Sequence, residues 1–388
     1  MKILVVSKTP THPTFAGNCR FILNQVELIK SLGHDVYFLF VETRGLSRKF
    51  ANMQKEIDAM HTYWGNHLLL FRQKKYQMLK IILMVKLRKQ FCHGYTKCDE
   101  FYPWGLSAYV RRLNDIHHFE CCIVHYYILS KLFVDVHFPL EGITTHDYFG
   151  FKNILMGTKY SWLATTPNEE GKALQRCPHI FALNTEEAAY FKKLSPQSTV
   201  YNVFSTYNYR PLPMTHNHVL LFMGAGGELN LHGIQWFLKE IFPSIVKRFP
   251  DVTFKIAGTI CKLLYDVKDT HVELVGFVEN EADFYKLGDV SVNPTYEGTG
   301  LKIKTFESIA YDKVTMVHPH SLIGIYNPDR APIFSSLNAV DWVSYLEKVW
   351  GDEEAILDVK KQNGDYIEEM NAFVVSEYKK FFDNQSVH

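Results

Sequence analysis

At 388 residues the chain is too long for one ordinary hydrophobic core and suits two domains. Its 47% apolar and 21% charged residues make a globular composition and exclude a disordered one. A formal net charge of +1 excludes a polycation of the nucleic-acid-binding kind, so no nucleic-acid partner is expected.

KILVV at 2–6 reads as a short buried strand, not as a secretory leader. A loop containing Pro, Thr and Gly (9–18) leads into a helix on which Ile22, Val26 and Ile29 recur at helical spacing and which Gly33 closes. HDVYFLFVE (34–42) is the next strand, which completes a βαβ unit and implies a parallel sheet. Further strands are expected at 67–71, 121–127, 142–146 and 179–184. The polar stretch around 206–217, rich in Pro, Tyr and Asn, is a linker signature. Beyond it the alternation restarts, with strands at 219–224, 252–258, 272–276 and 289–294 and a helix over 230–249 interrupted near Pro243.

The expected fold class is therefore α/β, with two doubly wound Rossmann-like domains facing across a cleft. The N-terminal, acceptor-side domain would span 1–205 and the C-terminal domain 218–365, with a last helix at about 366–388 packing back on the first domain. Ligands of such sheets bind at the C-terminal ends of the strands. Seven cysteines (19, 92, 98, 121, 122, 177 and 261) without zinc-finger spacing read as buried thiols of a reduced, cytoplasmic protein. No apolar run approaches the length of a membrane span.

Three stretches carry chemistry. GTGLKIKTFE (298–307) joins a strand end to a helix start, where free backbone N–H groups favour a phosphate. Gly300 lets a ligand approach the backbone, Lys302 and Lys304 would neutralise a diphosphate, and Glu307 could accept two ribose hydroxyls. Gly17 and Asn18, between the first strand and helix, could offer amides to phosphate, or form a plain turn. His146 and Asp147 close the stretch TTHD at a strand end.

A fourth feature is electrostatic. No Asp or Glu occurs from Ala59 to Cys98, and seven of the residues in 72–89 are Lys or Arg. Lys74, Lys75, Lys80, Lys86, Arg88 and Lys89 would form a basic amphipathic helix suited to an anionic membrane surface or a lipid diphosphate acceptor, or else a solvated face.

The order LLFMGAGGELNLHG … VELVGF … DVSVNPTYEGTGLKIKTFESIAYDK, preceded by KILVVSKTPTHPTFAGNCRF and TTHDYFGFKN, resembles retaining GT-B glycosyltransferases of family 4, in a subgroup with a GTG-K-K loop. The resemblance covers roughly 1–350. It implies a nucleotide diphosphate sugar as donor substrate, bound by Gly17, Asn18, Gly224, Gly226, His232, Thr299, Gly300, Lys302, Lys304 and Glu307. It implies His146 at the reaction centre, Asp147 orienting it or binding acceptor, and Lys304 on the leaving diphosphate. Two departures stand out: Thr299 replaces the sugar-binding Glu of relatives, and the loop 224–233 lacks their Arg and Lys.

The expected activity is transfer of a sugar to a hydroxyl of a glycan or glycolipid with retention of anomeric configuration, in surface polysaccharide or glycolipid synthesis. No Asp-x-Asp motif occurs, so no metal and no cofactor is expected. The place of action would be the cytoplasm, including the inner face of a membrane as a peripheral protein. The rival readings are a sugar-nucleotide epimerase of the same fold and a non-catalytic nucleotide-sugar binding module.

Overall fold

A computed structural model describes residues 1–14, 17–42, 50–73, 95–157, 163–300 and 303–384. It divides into two compact units, Met1–Ser205 with Val374–His388, and Thr206–Phe373.

The first unit is built on a parallel sheet of seven strands among the described residues: β1 (Lys2–Ser7), β2 (Asp35–Glu42), β3 (Leu68–Arg72), β4 (Cys121–His125), β5 (Leu140–Thr144), β6 (His179–Ala182) and β7 (Thr199–Asn202). Their order across the sheet is β3-β2-β1-β4-β5-β6-β7. Ile3 to Val6 and Cys121 to Val124 are wholly buried, as expected of central strands covered on both faces. The helix Gly17–Ser31 buries Phe21, Ile22, Val26 and Ile29, and Gly33 just beyond it has φ +87°. Helical spacing thus supplies the buried stripe, and the residue without a Cβ supplies the left-handed exit.

The second unit has a parallel sheet of six described strands: β8 (Val219–Met223), β9 (Thr253–Ala257), β10 (Val272–Gly276), β11 (Val290–Asn293), β12 (Val314–Val317) and β13 (Ile333–Ser335), in the order β10-β9-β8-β11-β12-β13. The helix Glu228–Trp236 continues through a π turn, Phe237–Ile241, into Phe242–Arg248. Pro243 has no N–H to give the preceding turn, and the widened turn absorbs that loss. Residues 203–216 have no regular structure, and Tyr207, Arg210 and Thr215 hydrogen-bond through backbone N–H to Asn371, Ala310 and Asp289.

The helix Ile303–Ala310 ends in a left-handed turn at Asp312, φ +64°. The buried Asp312 carboxylate accepts from Lys360 Nζ at 2.9 Å and from Asn363 at 3.3 Å, both on the helix Glu353–Asp383. This helix leaves the second unit at Phe373, and its last turns belong to the first unit, where Tyr378 and Phe381 are buried. Tyr378 accepts a hydrogen bond from Gln25 Nε2 at 2.7 Å, and Phe381 lies edge-on to Phe181 at 4.8 Å.

Both sheets reverse direction once, between β1 and β4 and between β8 and β11. At such a reversal the loops leave in opposite directions and open a crevice at the carboxyl ends of the strands.

Candidate active site

The residues of interest gather at these two reversals, one in each unit. In the first unit β1 leads to the helix that opens with Gly17 and Asn18, and β4 ends at His125. Gly17 is exposed. The Asn18 side chain accepts from Cys19 N at 3.0 Å and donates to the Tyr126 hydroxyl at 3.1 Å. Tyr126 has φ +69° and stacks on the His146 ring at 4.3 Å; His146 itself has φ +73°. Two non-glycine residues held in the left-handed region at neighbouring strand exits store backbone strain, a feature that clusters at functional sites.

His146 Nε2 lies 2.8 Å from Nδ1 of His125, whose ring is wholly buried. Burial, and then the neighbouring His146, pulls the His125 imidazole well below its ordinary range, and burial pulls His146 down to about 3. Asp147 is paired with Lys152 at 2.6 Å and accepts from Tyr148 N at 3.0 Å. The hydrogen-bond partner of the His146 ring is thus His125, and Asp147 has Lys152.

Two buried acids lie behind Asp147. Glu170 accepts from Gly150 N at 3.0 Å and from Tyr190 at 2.7 Å, while Glu187 accepts from Leu183 N at 3.2 Å. Burial, reinforced by the Asp147 charge, pushes Glu170 up to about 7 and Glu187 up to about 8. The fold therefore keeps a proton that the unfolded carboxyl releases near 4.5. Their contribution is complete below that pH and is lost as pH rises through about 8. The depressed histidines act oppositely, losing stability as pH falls from 6.5 towards 3. The melting temperature should thus fall by several degrees between pH 6.5 and 8, and Glu187→Gln should flatten that decline in a calorimetric pH series.

In the second unit β8 runs into Gly224–Gly227 and the helix Glu228–Trp236, and β11 into the loop that carries Gly298, Thr299 and Gly300. Gly226 is exposed and donates its N–H to Thr259 Oγ1 at 2.7 Å. Asn230 joins the two loops: its Nδ2 donates to Ala225 O at 2.8 Å, and its Oδ1 accepts from Lys304 Nζ at 2.5 Å. The same Nζ sits 4.6 Å from the centre of the Phe222 ring, where the π face attracts a cation. Gly233 permits this closeness, since a Cβ there would meet Pro294 O at 2.9 Å.

His232 Nδ1 faces Glu297 Oε2 at 3.3 Å, with both side chains more than a third exposed. His320 Nε2 lies 2.9 Å from Gly298 O. Gly300 has φ +80° with open space where a Cβ would stand. Thr299 and Glu307 are half-buried, and the helix Ile303–Ala310 buries Phe306, Ile309 and Ala310 below them. A strand-end loop, a helix start and an anchored lysine form a place for an anion.

The structure brings together Asn18 and His146 in one unit, and Gly224, Gly226, His232, Thr299, Gly300, Lys304 and Glu307 at one sheet edge of the other. Lys302 and the basic cluster Lys74, Lys75, Lys80, Lys86, Arg88 and Lys89 lie outside the described residues. The sequence reading missed His125, Tyr126 and Asn230. The only signal for the first two was a histidine and two aromatics closing an otherwise apolar strand, and Asn230 gave none. Among the described residues no helix is long and apolar enough to cross a membrane.

Residues 217–326 match the family model of glycosyl transferases group 1. A curated relative from Klebsiella pneumoniae, an uncharacterized 44.6 kDa protein in the cps region, is 22% identical over 79% of this chain and 80% of its own. Sucrose-phosphate synthase from Thermosynechococcus elongatus superposes with a TM-score of 0.66 at 11% identity, covering 99% of this chain and 100% of that one. Anabaena Alr3699/HepE in complex with UDP gives 0.63 at 10% identity, covering both chains in full. Residues 217–326 are thus similar to group 1 glycosyl transferases, and the two parallel-sheet domains have the fold of GT-B glycosyltransferases.

Proposed function

We propose that the protein is a retaining glycosyltransferase, moving a sugar from a nucleoside diphosphate to a hydroxyl of a glycan or glycolipid in surface-polysaccharide synthesis. One observation carries the reading: the segment matching group 1 glycosyl transferases holds Lys304, anchored by Asn230 and Phe222, beside the glycine loops of β8 and β11. The neighbour solved with UDP and the relative from a cps region support the donor class and the setting.

In this reading the bond between the anomeric carbon and the diphosphate oxygen breaks, and its electron pair passes to the leaving diphosphate. Lys304 stabilises that charge. The acceptor oxygen bonds the anomeric carbon from the same face, and its proton goes to the leaving phosphate, so no protein base is needed. Glu307 holds the ribose hydroxyls. Phe151, Ile154 and Leu155 are exposed on the helix Phe149–Met156, next to His146 and Asp147, and favour an acceptor with a lipid portion. Peripheral binding to anionic membrane through the basic cluster is part of the same proposal, and cosedimentation with anionic vesicles tests it.

The deciding experiment is calorimetric titration with UDP, GDP and their sugars, followed by transfer of labelled sugar and the anomeric configuration of the product by NMR. Glu307→Gln should weaken binding of the nucleoside diphosphate about tenfold, the worth of one charge-assisted hydrogen bond. Unchanged affinity would remove Glu307 from the site, and an inverted product would overturn retention.

A further inference from the structure

β4 and β5 are hydrogen-bonded neighbours, and each is followed within two residues by one of positive φ, Tyr126 and His146. Those turns place the His146 ring against Tyr126, stacked at 4.3 Å, and against the edge of Phe21 at 5.5 Å. The ring has little freedom left, and its polar contact is the 2.8 Å bond between its Nε2 and His125 Nδ1. His125 is fully buried and its Nε2 has no hydrogen-bond partner.

Two proton arrangements are compatible with that bond. If His146 donates from Nε2, a neutral His125 must carry its proton on Nε2, as a buried N–H without an acceptor. If His125 donates from Nδ1, only a lone pair is left unpaired in the core, and His146 keeps its proton on Nδ1. An orphaned buried N–H is the rarer and costlier of the two. A doubly protonated ring would place a charge where burial already disfavours it.

We propose that His125 is a positioning residue that locks His146 as the neutral Nδ1–H tautomer. His146 then offers its ligand a hydrogen-bond donor and has no lone pair left to act as a base. The ligand is the sugar hydroxyl of the reading above, on which the functional half of this inference rests. His146 would steer the sugar as a donor, and proton removal from the acceptor would fall to the leaving phosphate.

The tautomer can be read without any substrate, by NMR of the full chain labelled with 15N-histidine, with His146 assigned from the His146→Gln spectrum. The wild type should show His146 protonated at Nδ1. His125→Asn, whose amide nitrogen stands where Nδ1 stood, should keep that signature, and His125→Leu should lose it. An Nε2–H signal in the wild type, or an unchanged Nδ1–H signal in His125→Leu, would overturn the lock. If His125→Leu does not fold, the wild-type spectrum decides alone. In transfer assays His125→Leu should lower kcat about tenfold at nearly constant donor KM, with His125→Asn restoring it. An unaltered kcat in a variant that has lost the tautomer would overturn the steering role. A chain that moves no sugar yet shows the Nδ1–H signal would sink the transferase reading and leave the lock standing.

Discussion

Lys304→Ala will cut sugar transfer by about 10²- to 10³-fold, the usual cost of removing one preorganised group that stabilises transition-state charge. The side chain is held in place without any ligand. Asn230 Oδ1 fixes its Nζ at 2.5 Å and the Phe222 face lies 4.6 Å away, so binding a diphosphate requires little reorganisation. The loss should fall mainly on kcat, because negative charge on the leaving oxygen grows as the bond to the sugar breaks. Stability should change by only about 1–2 kcal/mol, since the losses include the hydrogen bond to Asn230 and the contact with the Phe222 face at a half-buried site. Lys304→Arg should not rescue, as a planar guanidinium cannot reproduce a point charge between an amide oxygen and a ring. Steady-state kinetics with labelled donor, alongside a melting curve, checks all four statements. Full activity in the alanine variant would remove Lys304 from the charge-stabilising role.

Gly258→Ala will produce the largest loss of stability. Gly258 has φ +97°, and a Cβ there would stand 2.2 Å from Gly224 O, a backbone atom that cannot step aside. The exits of β8, β9 and β10 meet here backbone to backbone: Gly224 N donates to Ala257 O at 3.0 Å and Gly258 N to Gly276 O at 2.7 Å. Left-handed strain and overpacking together should cost about 2–6 kcal/mol. For a domain of this size that lowers the melting temperature by roughly 10 °C. Gly276→Ala is the matched control, because its φ is +84° but no atom lies within 4 Å of the added carbon. It should cost only the backbone term, about 1–2 kcal/mol. Equal losses in the two variants would show that the contact with Gly224 is relaxed elsewhere.

The buried central strands were the legible part of the fold. ILVV and VLLFM are continuous apolar runs, and local composition was enough to find β1 and β8. The reading passed over β7, β12 and β13, which are three or four residues each and are stabilised by a neighbouring strand rather than by their own pattern. It ran β4 and β5 too far, to 127 and 146, because Tyr126 and His146 look like strand residues. Only the tertiary contacts that hold them at positive φ make them turns.

The site divides along the same line. Lys304 and Gly300 were visible because glycines and a lysine at a helix mouth form a local pattern. Asn230 lies 74 residues from the lysine it orients, and His125 lies 21 from His146. Pairings at such distance leave no periodic trace. Glu187 lies in the first turn of the helix Thr185–Leu194, a place that suits an acid and that local pattern alone explains. Its raised pKa depends on the packing that buries it and then on the Asp147 charge.

The last turns of the helix Glu353–Asp383 give the first unit a peculiar order of assembly. Gln25, near the start of the chain, finds its partner in Tyr378, and Phe381 closes over Phe181 and Gly142. During synthesis the second unit has all of its residues as soon as Phe373 has emerged, whereas the first must wait for the residues from Val374 onward. The sheet of the first unit is thus translated before that of the second and completed after it. Truncation ahead of Tyr378 would be felt in the half of the chain furthest from it in sequence.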